Sequence, residues 1–301
     1  MTLAFGHRRP IARRAVPAEL RPALLVSYWY LDNFLATRSR GLYYYRDLAL
    51  DSGAYSAANS GAAIDLDDYI ARARALAAED PTLVEIFALD VIGDWRASLR
   101  NTERMWQAWI EAIPCFHWGE PEDVLVGLAR DYPKIALGGM LKLRSGTKFD
   151  WARQCFDRVW PKRIHGFGLC SERVLLGLPF DSVDATNWEV GPCKFGRWRT
   201  MGNASWRGIQ QNLRAEVASY LDLEARARER WRGVWAEVGP TLPPTVRLVC
   251  KGDVQAARRG LASSIVAPTL RLACAGSGQA EKNGSLSGGA RNQNLSERGS
   301  L

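Results

Sequence analysis

Short apolar runs that end in a polar or small residue recur along the chain. They are ALLVSYWYL (23–31), LALD (48–51), VEIFALD (84–90), AIPCFHW (112–118), KIALGGM (134–140), RIHGFGL (163–169) and LPFDSVDA (178–185). Runs of this length with little alternation read as strands buried on both faces. Helical patterns lie between several of them. DLDDYIARARALAAED (65–80) opens with an acidic first turn and then places apolar residues at helical spacing, and 95–112 and 120–132 behave alike. Strands alternating with helices predict a parallel sheet.

Seven such strands, joined by TVRLVC (245–250) or a segment near 195–201, approach the eight of a (β/α)8 TIM barrel. The predicted fold class is therefore α/β and barrel-like, with a doubly wound open sheet as the alternative. Residues 209–237 read as one long amphipathic helix carrying Leu213, Val217, Tyr220, Leu221, Trp231 and Trp235, packed on the outside. The first twenty residues, with Arg8, Arg9, Arg13 and Arg14, read as a basic irregular arm. Residues 268–301 turn to Gly, Ser, Asn and Gln, too polar to build a core, and are expected to be disordered. One catalytic domain over 21–267 remains.

Composition narrows the class. Lys and Arg number 40 against 32 Asp and Glu, a formal net charge of +8, which favours a polyanionic partner. The cysteines at 115, 155, 170, 193, 250 and 274 include no CxC or CxxC pair, so neither a zinc ribbon nor a dithiol redox motif is present. The basic N-terminus has no apolar signal-peptide core, and no apolar run reaches the ~18 residues of a membrane span. A soluble, cytoplasmic protein that touches no membrane is expected. Neither GxGxxG nor GxxxxGK[ST] follows a strand, which weighs against nucleotide cofactors.

Candidate chemistry gathers at strand ends: Asp51, Asp90, His117, the Gly138–Gly139 pair and Asp181. In a barrel the carboxyl ends of all strands meet on one face, so acids distant in sequence would share a cavity. The competing reading for Asp51, followed by Ser52, and for Asp90 is a helix N-cap after a βα loop.

The order of these residues resembles a family. DSGAYS (51–56) is similar to the Asp-Ser-Gly-Gly-Phe-Gln signature of the tRNA-guanine transglycosylases, and ALGGM (136–140) to their Ala-Leu-Gly-Gly-Leu strand. HGFGLCSERVLLGLPFDSVDATNW (165–188) resembles their Gly-Val-Gly-Thr-Pro-Glu-Asp run leading to Phe-Asp-Cys-Val. The resemblance implies a barrel that exchanges guanine in a nucleic acid for a 7-deazaguanine base, with no cofactor and no metal in the reaction. It makes Asp181 the nucleophile and Asp51 the acid/base. Asp90 becomes the reader of the base edge, with Ser52, Gly53, Gly138, Gly139 and His117 around the base. Asp184 is the alternative nucleophile: an odd offset of three puts it on the opposite strand face from Asp181. Such an exchange asks for these types, since one carboxylate traps an oxocarbenium-like carbon while a second acid shuttles protons.

The family's CxCxxC zinc motif is missing, so the chain is more similar to the reduced, phage-type paralogues acting on DNA than to those acting on tRNA. After the last motif, CKFGRWRTMGNASWRG (193–208) interleaves Lys194, Arg197, Arg199 and Arg207 with Trp198 and other aromatics, a composition suited to a nucleic-acid backbone groove. A solvated face with core tryptophans is the alternative. Two other classes fit the same residues. One is a nucleic-acid-binding barrel without catalysis. The other is a metal-dependent hydrolase ligated by Asp51, Asp90, His117 and Asp181.

Overall fold

Five-residue AlaLeuLeuValSer opens the sheet as β1 (Ala23–Ser27), buried throughout. A computed structural model describes residues 21–38, 45–185, 206–238 and 245–250. The sequence-expected arm at 1–20 and tail at 268–301 lie outside the described residues, which all fall within the unit Met1–Pro268.

The chain continues through α1 (Leu31–Arg38), β2 (Leu48–Asp51), α2 (Ala54–Asn59), α3 (Leu66–Glu79), β3 (Leu83–Ile86) and α4 (Trp95–Gln107). Then come β4 (Cys115–His117), α5 (Glu122–Asp131), β5 (Lys134–Gly138), α6 (Ser145–Val159), β6 (Arg163–Gly166) and α7 (Glu172–Gly177). The last elements are β7 (Ser182–Ala185), the long α8 (Trp206–Val238) and β8 (Thr245–Cys250). Helix starts follow local chemistry. Asp65 accepts from the Asp68 amide at the head of α3, Asp94 from Ala97 at α4, and Ser171 from Val174 at α7.

All eight strands belong to one parallel sheet in the order β3-β2-β1-β8-β7-β6-β5-β4. The sheet curls, and beyond its two outer strands Phe87 pairs with Ile113. There the Ala88 amide donates to the Ile113 carbonyl at 2.9 Å, and the Ile113 amide to that of Ile86 at 2.8 Å. This curled parallel α/β sheet is compatible with a TIM-like fold. The eighth strand is TVRLVC, one of the two segments expected to supply it. No described helix is long and apolar enough to cross a membrane.

Outward-facing side chains meet the helices in two clusters. Leu24, Val26, Leu48 and Leu50 pack with Tyr69, Ala73 and Leu76 of α3. Ile135, Leu137, Ile164 and Val183 pack with Leu128, Phe156, Leu175 and Ala227. Each fully buried side chain of this size contributes about 1.5–3 kcal/mol, so these layers supply most of the sheet's stabilisation. On the concave side lies a smaller cluster of Leu25, Ala49, Phe87, Ile113, Cys115 and Ala136.

Below that cluster, at the amino ends of the strands, a buried ion-pair lattice fills the interior. Lys134 bonds Glu85, Asp181 and, at 2.8 Å, the Ser182 hydroxyl. Arg163 Nε donates to Asp181 at 2.8 Å, while Arg247 spans Glu85, at 3.0 Å, and Asp47. Asp181 was expected at the carboxyl-end mouth, and here the sequence expectation is corrected. It precedes β7 rather than ending it, its amide bonds the Ile164 carbonyl, and its carboxylate is 2 % exposed between two cations.

Candidate active site at the carboxyl end of the sheet

β2 ends on Asp51, one register step beside Ser27 at the end of β1. After Asp51 the chain turns sharply, with Gly53 at φ +77°. That turn aims the Gly53 amide back at the Asp51 carboxylate, 3.1 Å away. A Cβ at position 53 would stand 2.7 Å from Ser27 Oγ and 2.9 Å from the Trp29 amide, so both conformation and space require glycine. Asp51 thus partly fulfils the turn role considered for it, but α2 begins at Gly53 with no side-chain cap. Asp90 caps nothing, because Asp94 caps α4.

At the mouth the charges of Asp90 and Asp184 both act on the Asp51 carboxyl. Burial, then the Asp90 charge, with a smaller push from Asp184, raises the Asp51 carboxyl to about 7 against the pull of its Gly53 hydrogen bond. A carboxyl with that value holds its proton through mildly acidic conditions and yields it near neutrality. Asp184 is 3 % exposed and accepts the Gly168 amide at 2.7 Å. On β7 it shares a face with Ser182, whose hydroxyl meets His165 Nδ1 at 2.8 Å in the concave interior. His165 Nε2 stands 3.6 Å from the same Asp184 oxygen, and burial lowers the ring's affinity for a proton. The sequence alternative for the nucleophile is therefore the residue that reaches the mouth, and the first choice is the one that does not.

His117 closes the other side. Its Nε2 lies 3.3 Å from Asp90 and its Nδ1 3.2 Å from Glu120, whose second oxygen accepts the His117 amide at 2.9 Å. The Cys115 sulfur, together with hydrogen bonds to Asp90 and Glu120, raises the imidazole's affinity for a proton against the pull of burial. Burial pushes the Cys115 thiol up to about 12. One ligand atom each from Asp90, Cys115 and His117 lies within 4.8 Å of the others, the one such trio among the described residues. A soft divalent cation could be held there, with Glu120 orienting the imidazole from behind.

Gly138 and Gly139 follow on β5. A Cβ on Gly138 would meet Cys115 Sγ at 2.7 Å and His117 Cδ2 at 3.1 Å; Gly139, at φ +75°, faces His117 and the Trp118 amide. These glycines leave room for the His117 shell, besides any room they leave for a ligand. Ser52 is buried, its hydroxyl accepting the Ala54 amide at 3.4 Å. The floor is aromatic: Phe87, His165 and Phe167 pack with ring centroids 4.6–4.8 Å apart. The Ser27 hydroxyl stands beside the Asp51 carboxylate and His165 Nε2 beside Asp184, so both carboxylates have a polar side chain next to them.

Of the expected site residues, the structure brings together Asp51, Ser52, Gly53, Asp90, His117, Gly138 and Gly139 and sets Asp181 apart. Lys194, Arg197, Trp198 and Arg199 lie outside the described residues, as does the side chain of Arg207 on α8. Sequence reasoning missed Cys115, Glu120, His165 and Ser27. The three-residue spacing from His117 to Glu120 was the available signal for one of them. No family model, no curated protein and no solved structure matches this chain.

Proposed function

We propose that this chain is a base-exchange transglycosylase that replaces guanine in DNA by a 7-deazaguanine, with Asp184 as the nucleophile. In this reading the curled sheet is a (β/α)8 barrel and its carboxyl-end mouth takes an extruded nucleotide. The observation that carries the proposal is the meeting of Asp51, Asp90 and Asp184 at one mouth, with Asp51 protonatable near neutrality.

The chemistry balances without redox change. An Asp184 oxygen bonds C1′ as the C1′–N9 bond breaks, and the electron pair passes to the departing purine, which takes the Asp51 proton. The incoming base gives its N9 proton back to Asp51, N9 attacks C1′, and Asp184 is released. Asp90 accepts from the N–H groups of the base's amidine edge. The concentration of carboxylates also favours glycosyl over phosphoryl chemistry, because it repels phosphate oxygens.

Radiolabelled 7-deazaguanine incubated with DNA and the pure protein tests the reading. Label should enter DNA, and Asp184→Asn should lower the rate at least about a thousandfold. Full incorporation by Asp184→Asn would remove the covalent mechanism. Label entering tRNA but not DNA would move the substrate to RNA. Loss of exchange with nucleic-acid binding retained in the wild type would favour the binding barrel.

A second reading rests on the Asp90–Cys115–His117 trio: a metal-dependent hydrolase. It would need a divalent ion held at that trio and activity lost on chelation, whereas base exchange should persist in EDTA.

A further inference from the structure

Among the described residues Val84, Trp109, Val126 and Trp160 are exposed large apolar side chains away from the strands' carboxyl ends, and the other exposed ones follow strands. Trp29 follows β1, Tyr55 follows β2, Ile92 with Val91 follows β3, Trp118 follows β4 and Leu141 follows β5. Five consecutive βα loops thus each raise a bulky apolar group, 37–58 % exposed, on the mouth side of the sheet. They are drawn to one arc because the outer strands β3 and β4 approach through Phe87 and Ile113. A side chain at Gly53 would press on Trp29, so the first two loops are packed together, and Trp118 is braced edge-on by Trp151, centroids 5.6 Å apart. Exposed apolar groups raised on loops beside a charged mouth mark an interaction surface.

Charge selects the occupant. The mouth beside these loops gathers Asp51, Asp90, Asp184 and Glu120 around His117. Phosphates are repelled there, while a base and sugar are not. Cations stand next in sequence to two of these apolar groups' loops. Lys142 and Arg144 flank the β5–α6 loop next to Leu141, and Arg96 lies 4.2 Å over Trp95 at the start of α4. Each is exposed, and none has an acidic partner among the described residues. An acidic mouth, exposed apolar groups on its loops and cations on the same loops match the parts of an extruded nucleotide: base and sugar at the mouth, neighbouring bases on the apolar groups, phosphates on the cations.

We infer that Trp29, Tyr55, Ile92, Trp118 and Leu141 form a stacking collar for the DNA bases flanking the exchanged nucleotide, with Lys142 and Arg144 on the adjoining phosphates. The inference rests on the DNA base-exchange reading for its ligand. It is tested by binding rather than by exchange.

Fluorescence anisotropy with a short labelled single strand and the corresponding duplex, in the Asp184→Asn background, measures affinity with no exchange running. Tyr55→Ala and Trp29→Ala should each weaken DNA binding about tenfold at unchanged melting temperature, one stacked base being worth about 1–3 kcal/mol. A Lys142→Glu, Arg144→Glu pair should lower the slope of log affinity on log salt by about 2. DNA binding indifferent to these variants overturns the collar. So does an RNA strand bound in place of DNA, or a dimer in light scattering that the variants dissociate. Melting temperatures lowered as for core substitutions would show the collar covered by the chain itself, and also overturn it. If collar variants lose DNA while no 7-deazaguanine is ever incorporated, the exchange reading fails and the collar stands.

Discussion

Two aspartates three residues apart divide the work of one strand. Asp181 lies below β7 between Lys134 and Arg163, and Asp184 lies above, at the mouth. Removing the charge of Asp181 leaves the buried Lys134 and the half-buried Arg163 each short of a partner. Asp181→Asn is therefore expected to destabilise the fold by about 3–5 kcal/mol, read as a lower midpoint in urea. Asp184→Asn should instead melt near the wild type and lose exchange. The reverse outcome would return the nucleophile to Asp181.

Asp51 sets the pH response. Its folded value, about 7, exceeds its ordinary 3.8, so the folded state binds this proton more tightly than the unfolded chain does. Stability from this group is fully present below about pH 4 and is lost as pH rises through about 7. Donation to the departing base needs the same proton. Exchange rate should fall as pH rises past about 7, and Asp51→Asn, slowed about 100- to 10,000-fold, should lack that limb. A rate flat from pH 5 to pH 9 would exclude Asp51 as the acid. Glu85 acts in the opposite sense: burial opposes its charge, but Lys134 and Arg247 overcome this and hold it below the ordinary range. Its contribution is lost only as acid protonates it in the native state.

At the scale of elements, the helices were legible where capping and spacing agree. Residues 65–80 contain α3, 95–112 contain α4 and 120–132 contain α5, each within a few residues of its expected bounds. Strand placement was less legible. LPFDSVDA reads as one apolar run, yet only Ser182–Ala185 pair as β7, because Leu178 and Phe180 turn into the helix layer. That shift of the strand start moves Asp181 from the top of the sheet to the bottom. The motif match and the expected strand end both selected the first aspartate of FDSVD, and only the observed bounds of β7 put the second at the carboxyl end.

β5 teaches the related lesson. Its Gly138 was expected to admit a flat ligand, whereas the space beside it is already taken by Cys115 and His117. Gly138→Ala should therefore displace the imidazole from Asp90, seen as a moved His117 ring resonance in NMR and a reduced rate with the fold intact. An unmoved resonance would mean the neighbours give way elsewhere.

For the whole molecule, the strand–helix alternation carried the α/β class and the parallel sheet, because periodicity is a local property. The lower ion-pair lattice was invisible, since Asp47, Glu85, Lys134, Arg163, Asp181 and Arg247 meet only through the curl of the sheet. The same holds for the carboxylates above: sequence suggested a convergence and topology chose its members.

Among the described residues the aromatic triangle of Phe87, His165 and Phe167, with the ion-pair lattice beneath it, fills the interior below the mouth. Under the proposed exchange, traffic would then queue at a single entrance: the outgoing purine would vacate before its replacement could sit down, while the strand waited tethered to Asp184. Initial-rate plots against the two substrates should accordingly run parallel, and free guanine should compete with the newcomer for the same empty seat.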